Sequence, residues 1–204
     1  MTRQILDPLP LPVSRPLVLL RLGYRSATQV PEKIARLLDE EIAACAPLVK
    51  GRAVAASFEI VPEDEALAIG GRLRSASRSL RERLAGCRVA YLFAATIGDE
   101  VERRASSLSD SGEMTRSLLA DAYGSAAAIA LGLALEETVA RDCAPHGLAA
   151  TKRTAPGYGD FELEAQRPLV DLLNARAIGI TVTEDFLMLP AKSISGVVGG
   201  RPVA

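Results

Sequence analysis

Residues 153–160, RTAPGYGD, hold the combination of side chains that is best suited to binding a small molecule. Arg153 offers a planar guanidinium, which can hold a carboxylate through two parallel hydrogen bonds. Pro156 fixes the backbone, and the absence of side chains at Gly157 and Gly159 lets a ligand approach the peptide groups closely. We therefore interpret this segment as a turn that presents a guanidinium and open peptide edges to a ligand.

The other residues of the segment suit a zwitterionic ligand with an aromatic part. Backbone N–H and C=O groups around Ala155 could read the edge of a flat ring, and Tyr158 adds an aromatic face and a hydroxyl. Asp160 and Glu162 could balance a cation. The same composition also suits a structural turn in which Arg153 forms a salt bridge inside the fold, so the residues alone leave both interpretations open.

Motifs for several other chemistries do not occur in the sequence. It contains no GxxxxGK(S/T) phosphate loop, no GxGxxG after a strand and no GxSxG nucleophile elbow. Cys45, Cys87 and Cys143 form no CxxC pair, and His146 is the single histidine, so no zinc-binding pattern is present. We expect reduced, mostly buried thiols in a cytoplasmic protein, with no metal site and no catalytic residue in this chain.

Charge and hydrophobicity argue against nucleic acid and membranes as partners. The 204 residues include 24 basic and 25 acidic side chains, so no long-range attraction to nucleic acid or to an anionic membrane is expected. The most apolar segment, residues 118–135, is almost long enough to cross a bilayer, but it contains Asp121 and is dominated by small residues. We predict a buried helix there. No signal peptide is expected, because the N-terminal apolar run is short and interrupted by proline.

Periodicity predicts the elements that would position the turn. Apolar residues three and four apart indicate helices over residues 30–49, 77–86, 99–108, 113–142 and 163–176. Strands are indicated by alternation over residues 54–60, by an unbroken apolar run over 88–98, and more weakly over 66–73, 177–183 and 193–200. Because the predicted strands and helices do not alternate in a regular βαβ pattern, we predict a single α+β domain over residues 1–204 with a largely antiparallel sheet.

Two C-terminal motifs carry a resemblance to a known family. RTAPGYGD is followed by ITVTEDFLMLPAKSISG at residues 180–196, and this pair resembles the activation domain of vitamin B12-dependent methionine synthase, above all its free-standing versions. LRLGYR, LFAATIGDEV and DAYGSAAA occur in the order that the family shows, at residues 20–25, 92–101 and 121–128. The likeness therefore covers nearly the whole chain, and its C-terminal third is the most specific part.

The resemblance implies a C-shaped α+β domain, with a twisted antiparallel sheet and flanking helices, that binds S-adenosylmethionine in a shallow groove. It also implies a partner, either a cobalamin-binding methionine synthase or a related corrinoid protein, whose cobalt has reached the inactive cob(II) state. An electron arrives, commonly from a flavodoxin-like donor, and the methyl group of S-adenosylmethionine traps the reduced cobalt. This chain has no DxHxxG corrinoid motif, so the cobalamin is expected on the partner.

The resemblance also implies individual S-adenosylmethionine-binding residues. Arg153 would pair with the carboxylate of the methionine part. The backbone at Ala155 and Gly157 would read the adenine or pass close beside it, and Tyr158 would line the groove. Arg153, Gly157 and Tyr158 stand at defined positions of the family's RxxPGY motif, and Ala155 stands at one of its variable positions.

A second set of positions comes from the sulfonium charge and from the second motif. The sulfonium is a fixed positive charge, so a carboxylate or an aromatic face beside it would be favourable, and Asp160 and Glu184 are the candidate carboxylates. Thr183, Glu184, Lys192 and Ser193 match the family's second motif. That motif could contact the ligand, or it could be a structural hairpin under the groove.

The chain departs from the long methionine synthases, in which proline follows the PGY motif and a further tyrosine-bearing strand and a helix follow the SISG segment. One wall of the groove could therefore be absent or supplied by a partner. The leading hypothesis is an accessory module that reactivates a separate cobalamin-dependent methionine synthase. The alternatives are a docking subunit of another corrinoid methyltransferase that binds no S-adenosylmethionine, and an independent methyltransferase.

Overall fold

The computed structural model describes residues 4–9, 11–25 and 30–203. The α-helices of this part are α1 (Arg15–Arg21), α2 (Glu32–Cys45), α3 (Arg78–Leu84), α4 (Glu100–Asp110), α5 (Met114–Cys143) and α6 (Gln166–Leu173). The strands are β1 (Gln4–Leu6), β2 (Arg52–Pro62), β3 (Leu67–Ile69), β4 (Leu73–Ser75), β5 (Val89–Thr96), β6 (Leu148–Ala150), β7 (Thr181–Val182), β8 (Met188–Leu189) and β9 (Ser193–Pro202).

One seven-stranded sheet organises the molecule. Its strand order is β4-β3-β2-β5-β9-β6, and β1 also pairs with β2. Every strand pairing within the described ranges is antiparallel. The central strand β5 is the apolar run VAYLFAAT, which is buried almost throughout because both of its faces are covered. The predicted α+β class and the predicted buried strand over residues 88–98 are both confirmed.

Each face of the sheet packs against its own hydrophobic core, and β2 shows the division. Ala53 and Ala55 point into the core formed with α1, α2, α4 and α5. Val54 and Ala56 point into the opposite core, formed with α3 and α6. The alternation over residues 54–60 is typical of a half-buried strand, and this character holds only for the second half of β2, where Glu59 is exposed. Helices cover both faces of the first half.

The long helix α5 crosses one face of the sheet and confirms the buried helix predicted over residues 113–142. Its length and composition would also suit a membrane span, but small residues let it pack closely on the sheet. A Cβ atom at Gly132 would lie only 2.8 Å from Cδ1 of Ile194 on β9. Ser125 and Ala128 keep the neighbouring helix face equally low, and this face forms one wall of the groove described below.

The segment after α6 differs from its prediction. Asn174 ends α6 in the left-handed conformation, and residues 175–178 form a 3-10 turn that Gly179 closes with a φ of 84°. Ile178 and Ile180 are both buried under the sheet by this turn, so their spacing imitates the alternation of a strand. Only β7 forms within the strand predicted over residues 177–183, and it pairs with β8. The strand predicted over residues 193–200 is β9.

Helices α2, α4 and α5 are joined by a buried ionic cluster around Glu41. The Glu41 side chain on α2 is completely buried. Arg104 of α4 places Nη2 2.8 Å from its Oε2, and Arg116 of α5 donates a hydrogen bond to its Oε1. Arg116 also donates to Glu40 at the surface. Because each carboxylate oxygen of Glu41 has a guanidinium partner, the buried charge is balanced.

The three cysteines are free, as predicted, and two of them are fully buried. Burial raises the pKa of the Cys45 thiol to about 11, so this thiol stays protonated and unreactive at neutral pH. Burial also raises the pKa of Cys143 and of the half-buried Cys87. His146 is exposed in a 3-10 turn after α5. None of these residues lines the groove.

Candidate functional site

A groove of about 490 Å³ opens on the molecular surface between α5 and the C-terminal third of the chain. Four parts of the chain line it: the middle of α5, the turn at residues 155–158, the hairpin formed by β7 and β8, and the first residues of β9. Arg153 and Gln166 lie between these parts and line it as well. The segment that the sequence predicted to bind a ligand therefore borders an open groove.

Arg153 is held on the groove wall by neighbours from two elements. Its Nε donates to Oε1 of Glu136 on α5 at 3.0 Å, and its Nη1 donates to the carbonyl oxygen of Ser195 on β9 at 3.0 Å. Within the described ranges, Nη2 has no hydrogen-bond partner. The structure thus contains the internal salt bridge that the sequence left open, and it also leaves one N–H edge of the guanidinium for a ligand.

Gly196 makes this placement of Arg153 possible. A Cβ atom at this position would lie 2.6 Å from Cδ of Arg153 and 2.4 Å from Cζ of Phe93. Distances below 3.0 Å cannot persist without movement of both side chains. The glycine of the SISG segment is therefore required because the arginine side chain lies directly across β9.

We expect Gly196→Ala to destabilise the fold by about 1–3 kcal/mol, because the added methyl group overpacks the interior between Phe93 and Arg153. The same methyl group should displace Arg153 from the groove wall, so ligand affinity should fall together with stability. Urea unfolding measures the first effect and calorimetric titration the second. Gly112→Ala is a comparison for backbone strain alone, because its φ is 82° and a Cβ atom there has no other atom within 4 Å, whereas Gly196 has the clash without a positive φ. Equal stability of wild type and Gly196→Ala would contradict this account.

The turn after Arg153 closes on itself through backbone hydrogen bonds. Gly157 N–H donates to the Phe161 carbonyl at 2.8 Å, and Tyr158 N–H donates to the Ala155 carbonyl at 3.1 Å. Gly157 has a φ of 86° and does not line the groove. The Ala155 carbonyl and the Gly157 N–H are thus engaged within the turn, which leaves, within the described part of the chain, the Ala155 N–H and the Gly157 carbonyl as the peptide groups that a ligand could contact. Ala155 and Tyr158 both line the groove. Tyr158 is 60% exposed, and its ring centroid lies 5.8 Å from Cζ of Arg153.

The carboxylate of Asp160 lies at the start of α3 and not at the groove. Its carboxylate accepts hydrogen bonds from the backbone N–H groups of Arg78 and Ser79, at 2.7 and 3.1 Å, and from the hydroxyls of Ser77 and Ser79. These groups form the start of α3, where unpaired N–H groups favour an anion. Asp160 therefore fastens the turn to α3 and does not line the groove. The hydrogen bonds from Ser79 and Ser77 hold the pKa of Asp160 well below its usual range.

Replacing Asp160 by asparagine should lower the thermal unfolding midpoint at pH 7, because the amide cannot replace a carboxylate that accepts all these bonds. The folded-state pKa is depressed, so the stabilisation is present above the unfolded pKa of about 4 and is lost as pH falls further. The difference between wild type and Asp160→Asn should therefore shrink in melting curves recorded below pH 4. Asp64→Asn, at an exposed position, is the control. If the unfolding midpoints of wild type and Asp160→Asn differ by the same amount from pH 7 to pH 2, the ionised Asp160 carboxylate is not the source of the stabilisation.

The second motif is divided between the groove and the surface. Lys192 and Ser193 line the groove, whereas Thr183 lies within the hairpin and Glu184 is exposed at its tip, away from the lining. Lys192 Nζ lies 2.7 Å from the Asp121 carboxylate and 2.9 Å from the hydroxyl of Ser125. Like Arg153, this groove cation is therefore held by a carboxylate of α5.

The charged side chains that line the groove within the described ranges are all basic. They are Arg21, Arg153 and Lys192. Neither of the carboxylates predicted to face the sulfonium is among them. Arg153 and Lys192 are each paired with a carboxylate of α5, which partly balances their charge, and none of the carboxylates in the described ranges lines the groove where it could attract a sulfonium.

Two groove residues were not predicted from the sequence, Gln166 and Phe186. Gln166 is 3% exposed, its Oε1 accepts a hydrogen bond from the Ser195 hydroxyl at 3.0 Å, and its Nε2 has no partner in the described ranges. Phe186 lies at the turn of the hairpin with a φ of 62°. A buried amide without a partner and a non-glycine residue at positive φ are both features that concentrate at binding sites.

The fold is a mixed α and β domain in which the guanidinium of Arg153 and the aromatic side chains of Tyr158 and Phe186 line one open groove. The family model of the vitamin B12 dependent methionine synthase activation domain matches residues 86–204, which is more than half of the chain. The chain belongs to this family.

The same fold occurs in a solved structure, described as the crystal structure of the MetH reactivation domain bound to AdoHcy. The TM-score is 0.73 at 16% sequence identity, and the match covers 100% of this chain and 80% of that chain. At this identity the likeness establishes the fold alone. No curated protein matches the sequence.

Proposed function

We propose that this chain binds S-adenosylmethionine in the groove and acts as a reactivation module for a separate cobalamin-binding methionine synthase. The observation that supports this most directly is the guanidinium of Arg153, which is fixed on the groove wall with Nη2 unused. A ligand carboxylate at this atom would form a charge-assisted hydrogen bond, which is stronger than a neutral one. Family membership and the AdoHcy bound to the structural relative support the same class of ligand.

The other groove residues offer a counterpart to the remaining parts of S-adenosylmethionine. Gln166 lies beside Arg153, because Ser195 binds both side chains, but its amide nitrogen is buried, so a ligand would reach it only if the Gln166 side chain moved. Tyr158 and Phe186 offer aromatic faces to a flat ring. In this proposal, the carboxylate is recognised at Arg153 and the nucleoside along the aromatic side of the groove.

The sulfonium is not the main source of affinity in this proposal. The charged side chains of the groove are basic, and both aromatic rings already have a guanidinium close by, Arg153 at Tyr158 and Arg167 at Phe186. A further cation beside these rings would be repelled by the guanidinium groups. We therefore expect AdoHcy, which lacks the sulfonium charge, to bind at least as tightly as S-adenosylmethionine.

The partner would carry the cobalamin, which supplies the acceptor for the methyl group. The contribution of this chain is to bind the methyl donor and to present it at the open side of the groove. The rim of that side exposes Tyr158 and Leu187, which are 60% and 57% exposed, and such apolar surface suits coverage by a partner protein. A flavodoxin-like electron donor and a cytoplasmic location belong to the same proposal.

Calorimetric titration of the chain with S-adenosylmethionine, alone and with a cobalamin-loaded methionine synthase that lacks its own activation domain, tests this function. We expect saturable binding and, when a flavodoxin or a chemical reductant supplies the electron that cob(II) requires, ligand-dependent recovery of methionine synthesis by the inactivated partner. No binding in either titration would contradict the proposal. Capture of the partner without any dependence on S-adenosylmethionine would favour a docking subunit instead.

A further inference from the structure

Phe186 adopts a backbone conformation that phenylalanine rarely adopts. Its φ of 62° lies in the left-handed region, where a Cβ atom is crowded and glycine or asparagine is favoured. The position closes the turn of the β7–β8 hairpin: Phe186 N–H donates to the Thr183 carbonyl at 3.1 Å, and Thr183 N–H donates to the Leu187 carbonyl at 2.9 Å. Hairpins of this length ordinarily place glycine at such a left-handed residue. The sequence thus keeps a large aromatic side chain where the backbone disfavours it.

The Phe186 ring is fixed from one side and lines the groove. The guanidinium of Arg167 lies 5.4 Å from the ring centroid. Arg167 is itself tied to the hairpin, because its Nη2 donates to the Thr183 carbonyl at 2.8 Å. Two further hairpin residues in the groove, Leu187 and Met188, are apolar. The result is an aromatic surface of fixed orientation with an apolar border.

We infer that Phe186 is a specificity-determining residue on which the flat ring of the ligand's nucleoside stacks. An uncharged, electron-rich ring suits an aromatic side chain that already interacts with a guanidinium, whereas a second cation there would be repelled. Strained residues persist where the surrounding structure determines them, and they concentrate at ligand sites. The inference rests on the proposed function and adds to it the residue that selects a nucleoside.

Binding of two ligand fragments separates the nucleoside from the amino-acid part. 5′-Methylthioadenosine keeps the nucleoside and lacks the carboxylate, whereas methionine keeps the carboxylate and lacks the nucleoside. Removing an aromatic stacking partner weakens the binding of a base about tenfold. Phe186→Ala should therefore bind S-adenosylmethionine and 5′-methylthioadenosine about tenfold more weakly than wild type, with little change for methionine. Phe186→Trp, which keeps an aromatic face, should retain nucleoside binding.

The backbone strain at Phe186 allows a second test, by thermal unfolding. Glycine has no penalty at positive φ, so Phe186→Gly should melt about 2–4 °C above Phe186→Ala. Both variants should bind the nucleoside equally weakly, which a merely structural role would not require. Phe58→Leu, at a half-buried aromatic outside the groove, is the control for nonspecific loss of packing, and it should leave affinity unchanged.

The outcomes separate this inference from the function on which it rests. If wild type binds no nucleoside ligand, both are wrong. If wild type binds S-adenosylmethionine but folded Phe186→Ala binds it equally well, the function stands and the role of Phe186 is overturned. An equal loss of methionine binding in Phe186→Ala would also overturn it, because stacking on the nucleoside could not cause that loss.

Discussion

Arg153→Ala is expected to weaken the binding of S-adenosylmethionine about tenfold to a hundredfold. A hydrogen bond between a guanidinium and a carboxylate contributes about 1.5–3 kcal/mol, and the side chain that would form it has one N–H edge unused and is fixed by Glu136 and Ser195. Calorimetric titration measures the loss. Circular dichroism establishes that the variant is folded, since the substitution also removes the internal salt bridge to Glu136.

Three further variants show whether loss of the guanidinium itself causes the loss of affinity for S-adenosylmethionine. Arg153→Lys keeps the charge but lacks the planar fork, so it should recover only part of the affinity. Glu136→Gln removes the carboxylate that partly neutralises Arg153, so affinity should be kept or rise, provided that the Ser195 carbonyl still holds the side chain. Arg88→Ala, at an exposed position outside the groove, should bind as wild type does. Wild-type affinity in folded Arg153→Ala would contradict carboxylate recognition by this residue.

Much of the fold was predictable because its signals are local. The unbroken apolar run of β5, the alternation of β2 and the small-residue periodicity of α5 each reflect burial that the sequence encodes directly. The strand predicted from Ile178 to Ile180 did not form, because the signal there is not local. Its apolar spacing is the same as in a strand, but the left-handed residues Asn174 and Gly179 reverse the chain on either side of a 3-10 turn. Packing beneath the sheet selects this turn, and the spacing of apolar residues in the segment gives no information about that packing.

The candidate site was predictable only in part. Arg153, Ala155 and Tyr158 line the groove because they belong to one tight turn that faces it. Asp160 follows in the same turn but points to the start of α3, about 80 residues earlier in the chain, and that neighbour could not be read from the segment. The unpaired amide of Gln166 likewise depends on Ser195, far away in sequence. Composition thus predicted the turn, whereas the direction of each side chain depended on tertiary contacts.

A large stability effect is expected at the buried ionic cluster. Arg104→Met should lower the free energy of unfolding by about 3 kcal/mol, because it leaves the completely buried carboxylate of Glu41 with Arg116 as its remaining partner. Arg104 is the cleaner probe of the two arginines, since Arg116 also pairs with Glu40 and Glu113 at the surface. Urea denaturation measures the change, and a shift of the midpoint at constant slope would show that stability alone has changed.

Two comparisons test whether the unpaired buried charge causes this loss. Arg36→Met removes the exposed pair with Glu40, in which the side chains are 75% and 46% exposed, and screening by water limits the expected cost to about 0.5 kcal/mol. Replacing Glu41 by leucine in a chain that also carries Arg104→Met and Arg116→Met should restore most of the stability, because apolar side chains of similar volume leave no charge to balance. If Arg104→Met unfolds at the urea concentration of wild type, Glu41 does not need its second guanidinium, and α4 must be held on α2 by contacts other than this ion pair.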